Sequence, residues 1–171
     1  RPAKLIKLVF VWTLCLFVLP LLLLVGLEVT LRATGYGKPM RSFVWRTYDG
    51  QKYAVRNFDF IRQFFPWVPP MHQLEPAENM LTVEKPKGVC RIFVFGESTP
   101  EGWPGPAFSF SRYLRLMLES RYPGVNFEVT NLSFRALNSH VMRESAEFCA
   151  KHLKPDLFVV YLGNNEAHGP Y

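Results

Sequence analysis

Cysteine and histidine are scarce in this 171-residue chain, which has three of the first and four of the second. Cys15, Cys90 and Cys149 show no Cys-x-x-Cys spacing, and no histidine pair accompanies them, so no zinc-site pattern is present. All three lie in apolar stretches, which predicts buried thiols acting as small hydrophobes. Runs of one charge are also missing. The formal net charge is +6 and the isoelectric point about 9.4, a balance that suits an anionic partner. Yet the Lys and Arg residues are scattered and form no stripe that would track phosphates, so nucleic acid is not an expected partner. Neither a Walker loop nor a G-x-G-x-x-G occurs, which leaves nucleotide binding without support. Repeats and low-complexity tracts are absent. Disorder is excluded by what is there: 49% hydrophobic and 15% aromatic residues, in a length that suits one domain with a real core, or a smaller one with appendages.

Charge is missing over one long stretch. Residues 8–27 read "LVFVWTLCLFVLPLLLLVGL", twenty residues without an ionisable acid or base. At about 1.5 Å per residue this covers the roughly 30 Å hydrocarbon core of a bilayer. A cleaved signal peptide would have a shorter apolar core and a small-residue cleavage site. Residues 1–30 are therefore expected to be a single-pass membrane anchor, with lipid as the first partner. Pro20 and Gly26 are tolerable in such a helix. Arg1, Lys4 and Lys7 precede the span, and Arg32, Lys38, Arg41 and Arg46 follow it, so charge alone does not orient it.

Residues 31–88 read as an irregular, aromatic-rich juxtamembrane linker. Trp45, Tyr48, Tyr53, Phe58, Phe60, Phe64, Phe65 and Trp67 alternate with Arg46, Arg56 and Arg62, and "PWVPP" follows. Such a mixture suits lipid headgroups, the cover of a folded domain, or a partner protein.

Periodicity becomes legible from residue 89 onward. "CRIFVF" predicts a buried strand ending at Gly96. Residues 107–122 predict a helix with Phe110, Leu114, Met117, Leu118 and Arg121 on one face, stopped by Pro123-Gly124. "NFEVTNL" is a second strand, and residues 139–153 a second helix with Met142, Ala146, Cys149 and Leu153 aligned. "DLFVVYLG" is a third strand, fully apolar. Both helical stripes are expected in the core. Strand–helix–strand–helix–strand predicts an α/β fold with a parallel sheet, whose ligands bind at the strands' carboxyl ends. The loops there read "GEST", "SFRALNS" and "GNNE". A nucleophilic serine needs an acceptor for its proton and donors for the oxyanion. Ser98 is the candidate nucleophile. The N–H groups around Ser98 and Ala136, with the Asn165 amide, are the candidate donors.

"FVFGEST" followed by "VVYLGNNE" resembles the SGNH (GDSL-type) hydrolases, esterases and acyl-transfer enzymes on a flavodoxin-like sheet. In that family a Gly-Asp-Ser block carries the nucleophile, which Ser98 matches. A glycine after the second strand offers its N–H, where this chain has Ala136. A Gly-x-Asn-Asp block supplies a side-chain oxyanion donor, matched by Asn165. Glu97 and Glu166 stand where the family has aspartates, one methylene shorter. The resemblance covers residues 88–171, and a "PENM"-like run at residues 76–80 extends it toward membrane-anchored bacterial members. It implies an N-terminal portion of the hydrolase domain at residues 89–171, no metal or organic cofactor, and an extracytoplasmic ester as substrate. The family's histidine base lies in a late Asp-x-x-His block, and is expected beyond Tyr171. Of the histidines present, His168 is nearest in sequence to Asn165. His140 and His152 fall on the second helix at surface or packing positions, and His72 is a loop residue. The alternative is a non-catalytic single-span subunit of a larger membrane complex, using the domain as scaffold.

Overall fold

The computed structural model describes residues 2–36, 40–67, 80–102 and 104–170, in two compact units, Arg1–Pro39 and Met40–Tyr171. Lys38, His72, the end of "PWVPP" and residues 76–79 of the "PENM"-like run lie outside the described residues.

The first unit is a helix in three parts: α1 (Pro2–Thr13), a π-helical turn at Leu14–Val18, and α2 (Leu19–Thr34). Its stretch Ile6–Thr34 is long and apolar enough to cross a membrane. The π turn sits just ahead of Pro20, which has no N–H to give and whose ring crowds the preceding carbonyls; Leu19 N–H reaches back to Leu14 instead. Thr13 and Thr30 return their hydroxyls to the carbonyls of Val9 and Gly26, so neither leaves a bare donor on an apolar helix. Glu28 and Arg32 pair at 2.6 Å near the helix's end, and Gly35, at φ 80°, terminates it.

The second unit holds two sheets. In the first, β1 (Phe43–Tyr48), β2 (Gln51–Arg56) and β3 (Met80–Thr82) form an antiparallel meander. Residues 31–88 are thus not irregular throughout. The turn between β1 and β2 is Asp49-Gly50, both with positive φ (48° and 75°), a two-residue hairpin whose twist matches that of the strands. Of the three roles open to the aromatics, covering the folded domain is realised by Phe43, Phe58, Phe60, Phe64 and Phe65, which join the core, and Phe43 stacks on Phe148 at 4.7 Å. Tyr48 and Trp67 stay exposed.

The second sheet is parallel, in the order β5 (Asn126–Asn131), β4 (Val89–Gly96), β6 (Leu157–Tyr161). Ile92 to Phe95 on central β4 are essentially inaccessible, as a continuous apolar run demands. The helix α5 (Ser139–His152) buries Met142 and Cys149 with the following Leu153, as its stripe predicted, and Asn138 caps it by accepting the N–H of Val141. Burial pushes the Cys149 thiol up to about 12, with the Glu144 carboxylate adding to the effect, so it is an inert core group. Cys15 is exposed on the apolar helix and Cys90 is half-buried, so only Cys149 meets the expectation of a buried thiol.

The stripe on α4 (Phe110–Arg121) is not core. Phe110 and Met117 are 47% and 71% exposed, while Leu114 and Leu118 are partly covered. The helix packs along β5, an edge strand too narrow to cover its whole apolar face. It also starts later than periodicity predicts, because Ser109 accepts the Arg112 N–H and caps it there. On β6, Leu157, Val160 and Tyr161 are likewise exposed.

Candidate functional site

The carboxyl ends of β5, β4 and β6 release three loops on one edge, and each predicted site residue lies in one of them. Ser98 opens the single-turn α3 (Ser98–Glu101) directly after β4, with its side chain exposed. Ala136 follows β5 and is also exposed, in the left-handed region at φ 62°. Asn165 follows β6 and is half-buried.

Hydrogen bonds tie these loops together. Glu97, the residue before Ser98, is fully buried, and its Oε1 accepts the N–H groups of Gly163 (2.9 Å) and Asn165 (3.2 Å). The Asn165 amide donates one N–H to the carbonyl of Leu137, next to Ala136, at 3.1 Å. That amide has a second N–H, which no hydrogen bond engages among the described residues. The first and second loops are joined separately: Arg135 grips the Glu101 carboxylate with both Nε and Nη2 at 3.0–3.3 Å, and Asn131 donates to the carbonyls of Pro100 and Glu101. Phe134 N–H continues the ladder onto the Gly96 carbonyl. Glu166 accepts from both the N–H and the hydroxyl of Ser139, which ties the third loop to α5.

Close packing fixes the first loop. A Cβ on Gly96 would meet Pro100 Cγ at 2.0 Å and the Tyr161 carbonyl at 3.0 Å, so only glycine fits where the strand turns into α3. Two groups on this edge are unsatisfied: Glu97 Oε2 and Ser133 Oγ are buried with no hydrogen-bond partner among the described residues. Such an orphan costs about 1–3 kcal/mol, more for a charge. A groove of about 800 Å³ borders this edge, running from Glu101 and Gly102 past Ser133 and Arg135 along β5.

The described histidines make no contact with the serine. Among the described residues none is hydrogen-bonded to Ser98; His168 and His140 are exposed, and His152 packs edge-on against Trp45 at 5.4 Å. No cluster of potential metal ligands exists among the described residues. Sequence reasoning missed the tie from Glu97 to the third loop and the Asn131 and Arg135 links. Only Glu97's neighbourhood carried a signal, an acid directly beside the candidate nucleophile.

The molecule is a mixed α/β protein with a parallel sheet, joined to an N-terminal apolar helix. Compared with known protein families, with curated proteins and with solved structures, the chain finds no match.

Proposed function

We propose that this protein is a membrane-anchored serine esterase or acyl-transfer enzyme of the SGNH type, acting on an extracytoplasmic ester. The observation that carries the reading is the wiring of Glu97: one buried carboxylate beside Ser98 holds the main chain of Asn165, whose amide in turn meets the loop of Ala136. Ser98 is the nucleophile, and its proton goes to a general base that the described residues do not bring to it. The Ser98 and Ala136 N–H groups and the free N–H of Asn165 take the oxyanion as the tetrahedral intermediate forms. Ala136 is left-handed, a conformation that any glycine adopts without steric cost, which is compatible with a glycine at this position in the family. The order of the three parallel strands, second–first–third, supports a flavodoxin-like sheet. The groove along β5 offers room for the alcohol or acyl part of a substrate. The apolar helix is the membrane span, and lipid its surroundings.

A second reading, a non-catalytic subunit of a membrane complex, is favoured by the exposed apolar residues on α4, Phe110 and Met117 among them, which suit a neighbouring subunit. Fluorophosphonate labelling of the membrane-embedded protein separates the two. Labelling that disappears in Ser98→Ala is expected for the hydrolase. A folded protein that takes no label supports the subunit.

A further inference from the structure

We infer that Arg56, at the end of β2 in the antiparallel meander, is a positioning residue that sets the second rim loop, and through it the Ala136 N–H. The inference rests on the hydrolase reading above. Its guanidinium donates to three successive main-chain carbonyls: Nη1 to Asn131 at 3.2 Å, and Nη2 to Leu132 at 3.1 Å and Ser133 at 2.9 Å. Successive carbonyls in a strand point opposite ways. Three that meet one cation mark the place where the chain leaves β5 and bends around the guanidinium. Ala136, in its left-handed conformation, lies three residues further on.

The cation is half-buried, at the wall of the groove. The rings of Phe58 and Phe134 lie 5.0 and 5.8 Å from it. Burial lowers the group to about 10, partly offset by the Glu101 carboxylate, so it is protonated at neutral pH. Its hydrogen bonds all go to carbonyls, whereas Glu101 is gripped by Arg135. A guanidinium suits this task because its planar fork reaches several acceptors from one fixed point; an ammonium concentrates its charge and loses that geometry. The consequence for the rim is direct. Leu137, the residue after Ala136, accepts the Asn165 amide, so a shift of residues 131–133 moves two oxyanion donors together.

The test measures fluorophosphonate labelling of Ser98 in the full, membrane-embedded chain at increasing probe concentration, with thermal unfolding alongside. Arg56→Met is expected to lower the maximal labelling rate by about tenfold or more, as misplaced oxyanion donors do, with half-saturation within about twofold of wild type. Arg56→Lys should fall between the two. A wild-type maximal rate in folded Arg56→Met overturns the inference and leaves the hydrolase reading standing. A fall that only tracks the loss of folded protein also overturns it. If Arg56→Met does not fold, Arg56→Lys decides: slowed labelling at the wild-type melting temperature supports the positioning role, and unchanged labelling ends it. An unlabelled wild type overturns the hydrolase reading and this one with it.

Discussion

Arg91 on β4 and Glu97 just past its end are both fully buried, and their surroundings could hardly differ more. Every N–H of the Arg91 guanidinium is engaged: Nε and Nη2 with Glu128, Nη1 with the carbonyls of Thr82 and Leu153, and Nη2 also with the Thr82 hydroxyl. Its main-chain N–H goes to Asp156, which Lys85 holds from the other side at 2.6 Å. Glu97 has one oxygen occupied and one without a partner among the described residues. A satisfied buried network is a lock, and here it joins β3, β4, β5 and the end of α5 at the sheet's amino-terminal half. A half-satisfied one is costly, and proteins keep it where something other than stability is needed. One end of the sheet is built to hold; on the proposed function, the other is built to act.

The largest effect that would sharpen this contrast is Arg91→Met. It leaves Glu128 and two carbonyls without their donor, and breaking a buried pair in this way costs about 3–5 kcal/mol. Denaturant unfolding in detergent, followed by tryptophan fluorescence, reads the loss. Glu97→Gln should cost less, about 1 kcal/mol, because the amide oxygen still accepts from Gly163 and Asn165 while the charge is gone. It should nonetheless slow Ser98 labelling. If the two variants lose equal stability, the division between holding end and acting end fails.

The smallest effect concerns Asp156. Its hydrogen bond from Lys85, and then that from the Arg91 N–H, hold the carboxyl below the usual carboxylate range. A carboxyl whose folded pKa is lowered stabilises the fold above its unfolded pKa, and loses that contribution as pH falls through the folded value. The melting-temperature gap between wild type and Asp156→Asn should therefore be full near neutral pH and close on acidification. A gap that widened in acid would contradict the assignment.

Legibility followed the range of the interactions. The three parallel strands and both helices were readable because apolar runs and 3.6-residue stripes are local properties. The meander was not, although "YDGQ" carries the Asp-Gly hairpin signal; dense aromatics and arginines hid the two-residue alternation around it. The α4 stripe misled, since amphipathicity says which side is apolar but not whether a neighbour is wide enough to bury it. Strand ends alone put Ser98, Ala136 and Asn165 on the three loops that leave the sheet's carboxyl edge. Arg56 was one arginine among several in a stretch with three roles open, because its three acceptors lie about 75 residues away.

What the sequence determined by itself is the apolar helix, the succession of strands and helices, and the edge on which polar loops gather, all set by periodicity and by where charge is missing. Tertiary structure alone decided that Phe43, Phe60 and Ile61 pack into the core, that Glu97 reaches the third loop and Arg56 the second, and that Ala136 stands left-handed between them. These depend on hydrogen bonds between residues distant in the chain, which only chain folding brings within 3 Å or so of one another.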